Sequence, residues 1–260
     1  MKKRMFLALI LALPLAAHAS TDAKTIEFMK KLNLYYYCLQ REGLRNFTCD
    51  VAFKFPPSFK NNTVIQKRGP EWLATMEKLR CKASLSDDGT LSVTLLPPPA
   101  TGDSATDQAV LSSAESFRKM ALDATTSWQE AVVKTLYDER DYSGDCKVQN
   151  TADGFTVEVK KTDSDLTGSF TPQAEETSSS GTLGEIPVKS RNRYQSGPKG
   201  FIFIGTEGEY GNAHLKVDIE NQKVGEFLMP QEIRFAMSGI RAIGGGLEID
   251  LEFSNYLVNQ

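Results

Sequence analysis

Alternation of apolar and polar residues is the dominant pattern in this chain. Apolar side chains occupy every second position, with charged or polar residues between them, in segments 47–55, 81–85, 91–95, 155–159, 215–219, 233–237 and 247–253. A period of two predicts β-strands with one apolar and one polar face. The sequence Asp87-Asp88-Gly89 predicts a turn that joins two of these strands into a hairpin. The pattern is typical of an antiparallel sheet with water on one side.

Two other stretches follow the spacing of a helix. The first is predicted to run from Thr21 or Asp22 to about Glu42, because apolar residues recur there at steps of four, three and four. The second covers residues 105–138, and a capping pattern that begins at Ser127 would divide it into two helices. Their apolar stripes need a partner surface, which a one-sided sheet provides.

Polar segments rich in Pro, Gly, Ser and Thr separate these elements. Residues 56–69 are predicted to form a loop, Pro70 to begin a short helix that ends near Lys78, and residues 172–183 to form a mobile loop. A one-sided sheet must bury its apolar face. We therefore expect an α+β fold: a curled antiparallel β-sheet, or open half-barrel, wrapped around helices that serve as core and lid, in one domain over residues 20–260.

The first residues have the features of a secretory signal peptide. A positive start at residues 2–4 precedes an apolar run, and Ala17-His18-Ala19 fits the small-residue cleavage pattern. We expect residues 1–19 to be removed before Ser20, which would place the mature protein in the bacterial periplasm or outside the cell. Loss of the three basic residues changes the net charge from −3 to about −6. No later stretch reaches the length of an apolar membrane span, so the mature chain is expected to be soluble.

Export would determine how the cysteines behave. In an oxidising compartment Cys38, Cys49, Cys81 and Cys146 are expected to form two disulfide bonds. Four cysteines allow three pairings, and chain order favours Cys38–Cys49 with Cys81–Cys146. A catalytic thiol or a metal site is the alternative, but no histidine accompanies any of the four.

Composition and motifs argue against several classes of protein. A hydrophobic share of 40% and a charged share of 24% exclude disorder over the whole chain. The balance of 30 basic against 33 acidic residues gives no footprint of nucleic-acid binding. His214 is the only histidine outside the predicted signal peptide, no Gly-x-Ser-x-Gly motif occurs, and the glycine clusters at 205–208 and 244–246 do not open helices. We expect no enzymatic activity, no cofactor and no metal.

The layout resembles that of the LolA/LolB-like bacterial lipoprotein carriers. Two stretches carry the likeness: residues 214–237, a hairpin with a Leu-x-Pro step at Leu228 and Pro230, and the C-terminal strand of residues 247–259 with its Asn-Tyr-x-Val-Asn tail. Relative to such carriers, segments 56–78 and 172–200 look like insertions, and the four cysteines are not a family mark.

The resemblance implies a half-open barrel with an apolar concave face that holds acyl chains of a lipid or a lipoprotein. The candidate cavity residues lie on the apolar side of the alternating strands: Phe53, Phe55, Leu215, Val217, Phe235, Leu251 and Phe253. The protein would then be a soluble periplasmic carrier or sensor of lipid or lipidated protein. The alternative is that these residues fill a solid core and the sheet binds another envelope protein.

Overall fold

Twelve strands form one open antiparallel sheet in the computed structural model. The structure describes residues 23–98, 100, 102–135, 137, 145–161, 164–239 and 246–260. The predicted signal peptide lies outside these residues. The strands are β1 Phe47–Lys54, β2 Arg80–Leu85, β3 Leu91–Leu95, β4 Asp145–Thr151, β5 Gly154–Lys161, β6 Ser164–Phe170, β7 Glu176–Leu183, β8 Ile186–Gly197, β9 Gly200–Tyr210, β10 Ala213–Val224, β11 Phe227–Ser238 and β12 Gly246–Val258.

The sheet consists of two meanders that meet at β1 and β12. Its order is β3-β2-β1-β12-β11-β10-β9-β8-β7-β6-β5-β4, so the last strand of the chain pairs with the first. Phe53 lies opposite Leu251 across this junction, and Val217 lies opposite Phe235 between β10 and β11. Apolar residues therefore share one face, as their alternation predicts. The prediction of an antiparallel sheet combined with helices is confirmed.

The helices are short except for one. They are α1 Ala23–Asn33, α2 Pro57–Lys60, α3 Thr63–Gln66, α4 Pro70–Met76 and α5 Ser104–Trp128, followed by a π-helical turn, Gln129–Val133. The segment 56–69, predicted as a loop, thus contains α2 and α3. Helix α5 begins at an Asp103 cap, whose carboxylate accepts a hydrogen bond from the Thr106 amide at 2.8 Å.

The N-terminal helix ends at Asn33, nine residues before the predicted end at Glu42. The side-chain amide of Asn33 donates to the Tyr137 carbonyl at 2.7 Å and accepts from the Tyr137 amide at 2.9 Å. Just beyond it, the chain extends and pairs with β9: the Phe201 amide donates to the Tyr35 carbonyl at 2.8 Å, and the Tyr37 amide to the Phe201 carbonyl at 2.9 Å. Pairing with a distant strand therefore overrides the local helical spacing.

The predicted division of the long helix at Ser127 is also wrong in detail. Helix α5 continues through Ser127, whose hydroxyl donates back to the Asp123 carbonyl at 2.9 Å instead of capping a new helix. The change of geometry comes two residues later, where the π-helical turn starts at Gln129.

The predicted mobile loop at 172–183 is instead largely the strand β7. Its small polar residues pair on both sides, with Ser179 opposite Gly168 of β6 and Ser190 of β8. The Ser179 and Ser190 hydroxyls lie 2.7 Å apart in a hydrogen bond. Polar composition predicts a loop only when the backbone lacks partners, and here two neighbouring strands provide them.

Buried apolar side chains form two clusters on the covered side of the sheet. The larger lies beneath α4 and α5 and includes residues of β1, β2 and β10–β12. The smaller lies beneath α1 and contains residues of β5 and β6 together with Tyr36 and Cys146. The helices thus cover the sheet in two places.

The two predicted disulfide bonds are absent, although all four cysteines are described and buried. Cys81 belongs to the larger core cluster and Cys146 to the smaller one. The Cys38 thiol instead donates to the Val133 carbonyl at 3.2 Å. Cys49 lies opposite Ala83 and Cys81 opposite Val51, a diagonal relation that separates the two β-carbons beyond the reach of a disulfide. The order of the cysteines along the chain, on which the predicted pairing was based, does not indicate how far apart they lie in the fold.

Cys49 and Cys81 are expected to resist alkylation in the native protein. Burial raises the pKa of the Cys49 thiol to about 12 and that of Cys81 to about 11, and only the thiolate is nucleophilic. Iodoacetamide at pH 8, followed by peptide mapping, should modify neither residue in the folded state and both after denaturation without reductant. Modification that requires a reductant even after denaturation would show that the cysteines are oxidised instead.

Candidate functional site

An apolar pocket lies between α5 and the covered face of strands β10, β11 and β12. Its volume is about 420 Å³. Its walls contain Ser116, Lys119, Met120, Asp123, Ala124 and Ser127 from the helix, and Leu215, Phe235, Met237, Leu247 and Ile249 from the sheet. The volume lies within the range of small-molecule sites, which are commonly about 300–1,000 Å³.

The sequence of α5 explains why space remains at this place. Phe117 packs edge-on against Phe53 and Phe55, with ring centres 5.5 and 5.4 Å apart. Trp128 packs edge-on against Phe47 at 5.9 Å. Between these two aromatic anchors the fully buried positions of the helix are small residues, Ala121, Ala124 and Thr125, and the larger Met120 is only partly buried. The large residues set the distance between the helix and the sheet, and the small residues between them leave part of that space unfilled.

The wall of the pocket on the sheet consists of two rows of side chains that run across the strands. Leu215, Met237 and Leu247 lie directly opposite one another, and Phe235 lies opposite Ile249 in the next row. All five are buried or partly buried, and all except Met237 belong to the larger core or pack against it. Cross-strand neighbours of this kind form a continuous apolar surface.

The polar part of the pocket comes from one stripe on α5. Ser116, Lys119, Asp123 and Ser127 follow at steps of three, four and four residues, which places them on one side of the helix along the pocket mouth. All four are exposed. The pocket thus has an apolar wall on the sheet and a polar edge on the helix.

The structure places the seven predicted cavity residues in two groups. Leu215 and Phe235 line the pocket. The other five are buried in the larger core cluster: Phe53, Phe55, Val217, Leu251 and Phe253. Sequence reasoning missed three sheet residues of the pocket, Met237, Leu247 and Ile249, which lie two or four positions from predicted residues in the same alternating segments. That alternation was the signal that could have found them.

The opposite face of the sheet is charged and largely self-neutralised. Lys54, Asp250, Arg234 and Asp218 lie opposite one another on four successive strands, which alternates their charges. Arg234 also pairs with Glu220 at 2.7 Å. Burial, followed by the nearby Glu232 carboxylate, raises the pKa of Asp250. Charges arranged in this way keep one face of the sheet compatible with water.

A second polar group, away from the pocket, is buried beside Tyr36 and Ala174 of the smaller core cluster. Glu176 is 6% exposed, and its carboxylate accepts hydrogen bonds from Asn192 and Tyr194, both at 2.9 Å. The Tyr36 hydroxyl accepts from the Glu176 amide and donates to the Ala174 carbonyl, both at 2.7 Å. Burial raises the pKa of Glu176, and the two donors lower it by a smaller amount.

Glu176→Gln is expected to stabilise the protein increasingly as the pH rises. Because the folded-state pKa of Glu176 is raised, the stability that this residue contributes is fully present below the unfolded pKa of about 4.3 and declines as the pH rises toward the folded pKa. Glutamine keeps an acceptor for Asn192 and Tyr194 but has no proton to lose. Urea unfolding from pH 4 to pH 8 should show that the difference in free energy of unfolding between the variant and the wild type increases with pH. A difference that stays constant would show that the pKa of Glu176 is not raised in the folded protein.

No group of three or more His, Cys, Asp or Glu side chains among the described residues is arranged to hold a metal ion. Of the helices that the structure describes, none combines the length and apolarity needed to cross a bilayer.

Comparisons with known protein families, with curated proteins and with solved structures give no match to this chain.

Proposed function

We propose that the protein is a periplasmic carrier or sensor that binds the acyl chain of a lipid or of a lipidated protein. In this proposal the sheet curls as an open half-barrel, α5 acts as the lid, and the pocket between them receives the chain. The observation that carries the proposal is the apolar wall of Leu215, Phe235, Met237, Leu247 and Ile249, which faces Met120 and Ala124 of α5 across the pocket.

The energetics of acyl binding suit such a pocket. Transfer of a methylene group from water to an apolar site contributes about 0.8 kcal/mol, so a chain that enters the pocket needs no specific polar contact along its length. The same apolar wall would be an unfavourable exposed patch if α5 were absent. The polar edge of α5 leaves an opening through which a head group or a linked protein would remain in water.

An interaction module with a solid core is the second candidate. The observation that favours it is the burial of five of the seven predicted cavity residues, which pack as an ordinary core. In that case the pocket would stay empty and the protein would act through its surface.

Phe235→Asp is expected to lower the affinity for a fluorescent fatty-acid probe by about tenfold or more while the fold is retained. Phe235 is only partly buried and lines the pocket, so water can reach a carboxylate placed there, whereas an acyl chain would have to pack against a charge. Probe titration and a melting curve measure the two effects. Leu111→Asp is the matched control, because Leu111 is an exposed residue of α5 that does not line the pocket.

Native mass spectrometry of the gently purified wild type separates the two candidate functions. A carrier should retain acyl ligands and bind the probe. A wild-type protein that carries no ligand and binds no probe would reject the carrier and leave the interaction module.

A further inference from the structure

The polar edge of the pocket carries one cation and one anion, Lys119 and Asp123, that no charged side chain among the described residues neutralises. Lys119 and Asp123 are exposed, line the pocket and enter no ion pair or side-chain hydrogen bond among the described residues. The neighbouring cation of α5 differs: Arg118 is bound to the Glu115 carboxylate at 2.6 Å and to the Val93 carbonyl at 3.0 Å. The charges at the pocket mouth are therefore distinct from the paired charges of the helix.

The order of the two residues along α5 disfavours an ion pair between them. They are four positions apart on α5, with the basic residue nearer the helix N-terminus. An i,i+4 pair is more favourable with the acidic residue first, as for Glu27 and Lys31 of α1, which are 2.8 Å apart. The reversed order leaves the Lys119 ammonium and the Asp123 carboxylate available to a ligand.

We infer that this edge selects amphiphiles whose head group is zwitterionic with a primary ammonium, as in phosphoethanolamine lipids. The inference rests on the proposed function, because it supplies a head-group contact for an acyl chain in the same pocket. The head-group phosphate would lie at Lys119 and its ammonium at Asp123, with the Ser116 and Ser127 hydroxyls beside them. The acyl chain would lie against Leu215 and Phe235.

Other head groups can interact fully with only one of the two charges, Lys119 and Asp123, or with neither. A phosphoglycerol head is anionic and offers no cation to Asp123. A phosphocholine head is zwitterionic, but its quaternary ammonium has no N–H to donate to the carboxylate. An uncharged monoacylglycerol contacts neither charge, so it reports on the acyl chain alone.

The test uses lysophospholipids with one acyl chain and three head groups, phosphoethanolamine, phosphocholine and phosphoglycerol, with monoacylglycerol as the uncharged reference. Each displaces the fatty-acid probe from the mature protein below its micelle concentration. Exposed ion pairs contribute modestly, so phosphoethanolamine should bind about two- to fivefold more tightly than either phospholipid analogue. The preference should fade at high salt, whereas monoacylglycerol binding should not.

Two variants test whether Asp123 and Lys119 cause the preference for the phosphoethanolamine head group. Asp123→Asn should remove the advantage of phosphoethanolamine over phosphocholine, and Lys119→Gln should weaken all three phospholipids about two- to fivefold but leave monoacylglycerol unchanged. Lys30→Gln on α1, an exposed lysine outside the pocket, should change none of these values.

The outcomes separate this inference from the proposed function. If all four amphiphiles displace the probe equally, in the wild type and in both variants, the head-group inference is wrong while the acyl site stands. If phosphoglycerol binds most tightly, Lys119 selects anions and the zwitterionic assignment is overturned. If none binds, the proposed function itself fails.

Discussion

Replacing Phe253 with aspartate is expected to unfold the protein. Phe253 is 3% exposed and lies in β12 opposite Val51 of β1, at the junction of the two meanders. A carboxylate at this position would be buried without a partner, at a cost of several kcal/mol. Typical domains have only about 5–15 kcal/mol of total stability. Circular dichroism and urea unfolding of the purified variant should show loss of the cooperative transition.

The matched control is Phe253→Leu, which removes the ring but keeps an apolar side chain and should leave a folded protein with a lowered unfolding midpoint. Phe235→Asp provides the second comparison, since Phe235 lies one strand away at the pocket and is expected to tolerate the charge. If Phe253→Asp were as stable as Phe235→Asp, water would have to reach Phe253, and the pocket would extend into the region that the structure shows as core.

This contrast marks what the sequence pattern can and cannot predict. Alternation assigned Phe235 and Phe253 to the same face of the sheet, and the structure places both there. A period of two shows which face of the sheet a side chain lies on. It does not show how deeply the helices above the sheet bury that side chain. Depth depends on where α5 lies: its backbone comes closest to β3 and α4, and it lies farther from β10–β12, where the pocket remains. Core and pocket positions therefore look alike in the sequence.

The incorrect predictions have a common physical cause. The end of α1, the strand β7 and the pairing of the cysteines were each inferred from local sequence. Each is decided by a distant partner: Tyr137 for Asn33, β6 and β8 for β7, and separate core clusters for Cys81 and Cys146. Contacts far apart along the chain determine these features, and one sequence without relatives does not reveal them.

The position of α5 could have been inferred in part from its apolar stripe. Its large side chains Phe117 and Trp128 flank the small Ala121 and Ala124. Large residues seal a helix against a sheet and small residues leave space unless the opposite side chains fill it. The stripe predicted that this helix packs on a sheet. The small central part of α5 forms the roof of a pocket only because of the residues opposite it on β10–β12. The order of the strands in the sheet brings those residues together.

Trp128→Ala is expected to lower the free energy of unfolding by about 3–5 kcal/mol, the usual range for loss of a large buried aromatic side chain. Trp128 is 1% exposed and contacts the Phe47 ring of β1, so it joins the end of α5 to the sheet. Its indole nitrogen has no hydrogen-bond partner among the described residues, and the loss is therefore one of packing alone.

Leu111→Ala on the same helix is the control, because a side chain that is 54% exposed should contribute less than about 0.5 kcal/mol. Urea unfolding measures both variants. A loss below 1 kcal/mol for Trp128→Ala would mean that Trp128 does not anchor the end of α5, and the pocket that α5 roofs would then lack its second aromatic anchor.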